Sequence, residues 1–102
     1  MNEFIEAIEV ALRAYPLSEK ILQFLAEHEG AMDTLHGVAR CWVDSDEIAV
    51  KSSLDALHAL GLIDIRGLSS GTYYSLTPDR KIRAWLQTNQ GRFAGKVESQ
   101  LK

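Results

Sequence analysis

Leu54-Asp55-Ala56-Leu57-His58-Ala59-Leu60-Gly61-Leu62-Ile63, followed by Asp64-Ile65-Arg66-Gly67 and Thr72-Tyr73-Tyr74-Ser75-Leu76-Thr77, is the stretch that decides the fold. Leu54 and Leu57 share one helical face, and Gly61 supplies the left-handed exit at which helices end. Leu62 and Ile63 then open a strand. The glycine-bounded segment Gly67-Leu68-Ser69-Ser70-Gly71 reads as a flexible loop with Arg66 at its base, and a second strand returns through Tyr73 and Tyr74. The two tyrosines alternate across that strand, so one belongs to the core and the other to the edge.

Upstream, Asp44 and Glu47 have the three-residue spacing of a capping box and start this helix. With Val50, Leu54 and Leu57 turned inward, the 100° helical step turns Ser45, Ile48, Ala49, Ser52, Asp55, Ala56 and Ala59 outward. A shorter helix precedes it, from an Asp33 cap through Leu35, Val38, Ala39 and Trp42. Gly37 inside that helix costs up to about 1 kcal/mol against alanine. Earlier still, Ser18 reads as the N-cap of a helix burying Ile21, Phe24 and Leu25 and stopping near Gly30. The first helix runs from Glu3 to Ala14 on Phe4, Ile8 and Leu12, and Pro16 ends it. Downstream, Thr77-Pro78 reads as cap and first helical residue of a helix from about Asp79 to Leu86. Its apolar side carries Ile82, Leu86 and Trp85, the last closing the core or a dimer interface. Beyond Gly91, Phe93, Val97 and Leu101 fit a tail or a final packing helix.

With 102 residues, 46% of them hydrophobic and 25% charged, near globular norms, the chain is expected to be one domain with a modest core and not wholly disordered. No apolar run approaches the roughly 18–20 residues of a membrane span, and no signal-peptide pattern opens the chain, so no membrane partner is expected. Cys41 is the only cysteine, which forbids an internal disulfide and fits a reducing cytoplasm. The net charge of −3 is unevenly spread. From Met1 to Asp64 twelve acids stand against four bases, and from Ile65 onward seven bases stand against two acids. Either an oriented, negatively charged partner meets the C-terminal part, or the charges cluster by chance on solvated faces.

The order helix, helix, helix, helix, hairpin, helix contains a helix-turn-helix followed by a hairpin. From Ser18 to Leu86, about two thirds of the chain, it resembles the winged helix-turn-helix transcriptional regulators, the broad group that includes the multiple-antibiotic-resistance and arsenic-repressor types. The resemblance is carried by Thr34-Leu35-x-x-Val38-Ala39, Leu54-x-x-Leu57-x-x-x-Gly61-Leu62-Ile63 and Tyr74-x-Leu76-Thr77. It implies a mainly α fold with a small β-hairpin wing. Residues 1–15 would form an extra N-terminal helix, 18–77 the winged-helix core with its three helices, and 78–102 a C-terminal helix and tail, all within the single domain 1–102. It also implies a DNA-binding regulator. A homodimer is expected as well, with the first helix and the C-terminal segment supplying the contact, because apolar faces outside the minimal winged-helix core need a partner. The arsenic-repressor cysteine pair is missing, since Cys41-Trp42-Val43-Asp44 offers one thiol.

The candidate DNA contacts are Ser45, Lys51 and Ser52 on the fourth helix, Arg66, Ser69 and Ser70 on the wing, and Arg80, Lys81 and Arg83 on the last helix. The outward face of the fourth helix has no arginine, asparagine or glutamine for bidentate contacts to purine edges. Its opening carries Asp44, Asp46 and Glu47, which favour the helix dipole and repel phosphate. Phosphate gripping by wing and last helix is therefore expected instead of base reading. The alternative is a winged-helix protein-protein interaction module, whose acidic face of small residues meets a basic partner. His28, His36, Cys41 and His58 are scattered without metal-ligand spacing. Cys41 beside Trp42 reads as a small buried hydrophobe. Ser52, Ser53, Ser69 and Ser70 lack a nucleophile elbow or phosphate-cradling loop. No metal, cofactor or enzymatic activity is expected, and no effector ligand has a signature in the sequence.

Overall fold

The computed structural model describes residues 2–88. In chain order these form α1 (Asn2–Ala14), α2 (Leu17–Glu27), β1 (Met32–Asp33), α3 (Leu35–Gly37), a π-helical segment (Val38–Trp42), α4 (Glu47–Ala59), β2 (Ile63–Leu68), β3 (Gly71–Leu76) and α5 (Arg80–Thr88). The chain is mainly helical and carries a three-stranded antiparallel sheet in the order β1-β3-β2. Apolar side chains from α1, α2, α4 and α5 converge on one core. Ile8 of α1, Ile21, Leu22 and Leu25 of α2, Val50, Leu54 and Leu57 of α4 and Leu86 of α5 are buried there with Leu62, Ile63, Tyr74 and Leu76 of the hairpin.

The exit of α4 follows the expectation closely. Gly61 sits at φ 82°, its N–H donates to His58 O at 2.9 Å, and the Leu62 N–H donates to Leu57 O at 3.0 Å. These two bonds make a Schellman ending, which satisfies carbonyls the helix leaves open and aims Leu62 into the core. A side chain at Gly61 would strain this left-handed backbone.

The entrances differ from the sequence reading. Pro16 occupies the cap position of α2 at φ −55° without a side-chain bond, so the helix begins before Ser18. Ser18 is then fully buried, and its hydroxyl has no partner. Thr34, not Asp33, caps α3: its Oγ1 accepts from Gly37 N at 3.2 Å, while Asp33 Oδ1 accepts from Thr34 N at 2.8 Å. A Cβ on Gly37 would run into the Asp33 carboxylate, which gives this glycine a packing reason. Asp46 caps α4 by accepting from Ala49 N at 3.1 Å, and Asp44 is held at φ 49° in the preceding turn. Asp79 caps α5 by accepting from Lys81 N at 2.8 Å and Ile82 N at 3.3 Å. Thr77 supports it from behind, its hydroxyl accepting from Asp79 N at 3.3 Å.

Three further corrections concern packing. The hairpin turn is only Ser69-Ser70, because the ladder runs out to Leu68↔Gly71 and takes in Arg66, Gly67 and Leu68 as strand. Cys41 is exposed on the π-helical segment, whose buried residues are Val38 and Ala39. Trp42 instead stacks on Phe24, with ring centroids 4.7 Å apart. The apolar face of α1 is covered within the chain. Ile8 and Ala11 are buried against the core, and Phe4 meets Trp85 of α5 edge-on at 5.8 Å, so Trp85 closes this chain's own core. The dimer contact expected from the first helix loses that face. Its expected C-terminal share, with Phe93, Val97 and Leu101, lies outside the described residues. One strand was not foreseen: Met32 pairs with Ser75 and Asp33 with Tyr74, adding β1 to the hairpin.

Candidate nucleic-acid interface

The capped start of α4 leaves its outward face open. Ile48 is 79% exposed, and Ala49, Ser52, Asp55 and Ala59 are exposed along the same side. Ser53, which shares the helix, is buried toward the core with Val50. Small side chains here permit close approach by another surface, while Asp46 and Glu47 make the opening turn acidic. Glu47 Oε2 lies 2.9 Å from His36 Nδ1 and so links α4 to the short helix before it. Beside this face, Ala14, Tyr15, Pro16 and Leu17 with Ala49, Ser52 and Ser53 line an open hollow of about 280 Å³.

The three candidate contacts around α4 are engaged locally. Lys51 Nζ donates to both carboxylate oxygens of Asp55, at 2.8 and 3.0 Å. That hydrogen bond raises the lysine above its ordinary value, so Lys51 stays charged with an anion already at its side. Ser52 donates to Ile48 O at 3.3 Å and Ser45 to Val43 O at 3.4 Å. A phosphate reaching these groups competes with bonds already made.

On the hairpin, Arg66 projects from β2 opposite Tyr73, with Nε 3.4 Å from Asp64 Oδ2. Ser69 and Ser70 form the tip, and Ser70 Oγ lies 2.9 Å from the Tyr73 hydroxyl. Tyr74 is the core member of the tyrosine pair and Tyr73 the outer one. On α5 the basic cluster divides. Arg83 Nε donates to Thr77 O at 2.7 Å, and Nη1 lies 3.6 Å from Glu29 Oε1. This arginine ties α5 to the end of β3 and to the α2 side, a structural duty that removes it from the free cations. Arg80 and Lys81 are exposed on the opening turn and carry no side-chain bond among the described residues.

The wing and α5 candidates are spread along the hairpin. β3 runs from Gly71 at the turn to Leu76 at the base, a span of roughly 17 Å at strand rise. Arg80 and Lys81 follow the base, Ser69 and Ser70 occupy the tip, and Arg66 lies between. The ties made by His36, Glu29 and the Thr77 carbonyl escaped the sequence reading, because their partners are distant in the chain or are backbone. Among the described residues no three of His, Cys, Asp and Glu are grouped to hold a metal ion, and no helix is long and apolar enough to cross a membrane. Compared with known proteins, the chain matches no family model, no curated sequence and no solved structure.

Proposed function

We propose that the chain is a winged-helix DNA-binding domain of a cytoplasmic transcriptional regulator, acting as a homodimer and holding phosphates more than reading base edges. The observation that carries this reading is the topology around α4: two helical pieces and a turn lead into it, and a hairpin joined by β1 in the order β1-β3-β2 follows. A helix so framed, with a small-residue outer face, suits a groove. Ser69 and Ser70 with Arg80 and Lys81 remain the phosphate contacts. Arg66, Lys51, Ser52 and Ser45, each already engaged by a neighbour, are secondary, and Arg83 is withdrawn. The test is binding of a mixed-sequence duplex by fluorescence anisotropy between roughly 50 and 200 mM salt. Affinity should fall with a log–log slope of about −0.9 per phosphate neutralised, and replacing Arg80 and Lys81 by alanine should flatten it. Binding indifferent to salt and to this double variant would falsify the phosphate-holding reading.

A second reading, an interaction module for a basic protein, is favoured by Ile48, which stands 79% exposed next to Asp46 and Glu47. Asp46→Asn with Glu47→Gln keeps a good cap residue while removing charge. A DNA binder should then hold DNA more tightly. An interaction module should bind no DNA in either form and lose its basic partner.

A further inference from the structure

We infer that the outer edge of β2 is a self-pairing edge, at which a second copy of this chain extends the sheet in one defined register. The inference deepens the dimer part of the reading above and concerns where the two copies meet. Among the described residues, β2 pairs with β3 on one side and with no strand on the other. Which backbone groups face that open side follows from the ladder. The Thr77 N–H donates to Leu62 O at 3.0 Å, and Leu62–Thr77 is the rung directly beyond Ile63↔Leu76. Antiparallel ladders alternate bonded and non-bonded pairs. Asp64, Arg66 and Leu68 therefore turn their N–H and C=O groups toward β3, and Ile63, Ile65 and Gly67 turn theirs outward. His58 agrees with this phase, because its Nδ1 reaches Ile63 O from outside the ladder at 2.9 Å. Ile65 and Gly67 are left with outward backbone groups, the kind of edge that folded proteins usually cover or pair.

The register follows from side-chain parity and charge. Two copies of β2 related by a two-fold axis run antiparallel, and directly opposed residues must point to the same face of the joined sheet. Three centres are then available within the middle of the strand. Centring on Asp64 opposes two aspartates, and centring on Arg66 opposes two arginines. Centring on Ile65 places each Asp64 opposite the Arg66 of the other copy and pairs the outward groups of the two Ile65 residues with each other. It also brings Ile63 opposite Gly67, whose N–H becomes a second donor to the Ile63 carbonyl that His58 already bonds. Opposite charges facing each other stabilise such a pair and like charges oppose it. The Asp64–Arg66 contact at 3.4 Å within one strand shows that both side chains already lean over the same face. In this register the two Ser69-Ser70 turns stand about 30 Å apart at strand rise, near the ~34 Å that separates half-sites one DNA turn apart.

Sedimentation of the full chain without DNA, across a wide concentration range, tests the interface apart from any nucleic-acid role. Twice the chain mass is expected, with amide exchange of Ile65 and Gly67 slowing as concentration rises. Arg66→Asp should weaken the dimer by about tenfold or more, since four acids then face one another. Asp64→Arg combined with Arg66→Asp restores the complementarity and should restore the dimer. Gly67→Pro removes one outward donor without touching the β3 ladder, and should weaken it as well, with circular dichroism checking that every variant folds. A monomer at all concentrations overturns the proposal, as does a dimer indifferent to the charge variants. Slow Ile65 and Gly67 exchange in a monomer overturns it too, because the edge would then be covered without a second copy. A dimer that passes these tests and still fails to bind DNA leaves the interface standing and sinks only the regulator reading.

Discussion

α4 and α5 open in the same way and present opposite charge. Each is capped by an aspartate, Asp46 and Asp79, whose carboxylate accepts backbone N–H groups of the first turn. After the cap, α4 adds Glu47 and the exposed Ile48, whereas α5 adds Arg80 and Lys81. The helix dipole favours the first arrangement and disfavours the second. The cap therefore serves the helix, while the residues just after it are free to serve a surface. Basic residues at the start of α5 work against local helix stability, which is a reason to look for their use outside the fold.

The largest test of this contrast removes the anchor of α5. Trp85→Ala takes away the edge-on contact with Phe4, and for a partly buried tryptophan it should cost about 2–3 kcal/mol, below the usual cost for full burial. Denaturant unfolding measures it. A negligible change would mean that α5 is not held by this contact and that its charges have no fixed place.

Arg83 and Lys81 should then separate, although they are two residues apart. Arg83→Ala loses the bond to Thr77 O and the Glu29 contact and should cost about 1 kcal/mol. Lys81→Ala should stay within about 0.5 kcal/mol. Equal losses would contradict the division of the basic cluster into a tie and free cations.

Cap removal should give a matched pair, with Asp46→Ala and Asp79→Ala each costing about 1 kcal/mol. If Asp79 costs markedly more, the adverse charge of Arg80 and Lys81 is being offset by its cap. The smallest effect is the alkaline behaviour of Lys51. Its folded-state value lies above the ordinary 10.5, so the Asp55 pair contributes fully below that pH and is lost as pH rises through the raised value. Asp55→Asn should remove that alkaline loss, read from melting temperatures on either side of pH 10.5.

Much of the helical layout was legible because it rests on local rules. The i, i+3, i+4 apolar spacing located the helices, the 100° step sorted the faces of α4, and Gly61 marked its exit. Caps were misread wherever several acceptors crowd together. Asp33 and Thr34, Asp44 and Asp46, and Thr77 and Asp79 each compete within two residues, and the choice depends on where packing lets the helix begin. β1 was illegible, since two residues show no alternation and their partners Tyr74 and Ser75 lie far along the chain. The candidate site suffered more. Charge pattern suggested one basic cluster, but Arg83 is recruited by Glu29 and a backbone carbonyl, and Lys51 by Asp55. Those are tertiary and geometric facts that a list of charges does not contain.

Ser18 carries a consequence for how this chain can change. Its hydroxyl is sealed inside α2 without a partner, where a cap would have used it. Burying that oxygen without a side-chain or backbone partner works against the fold, and alanine would fill nearly the same space without it. Evolution has left an improvement untaken one substitution away, as happens when a protein needs only enough stability to function. The position is thus a reserve: a lineage burdened by a destabilising surface change elsewhere could recover through residue 18 without altering any face the molecule shows to its surroundings.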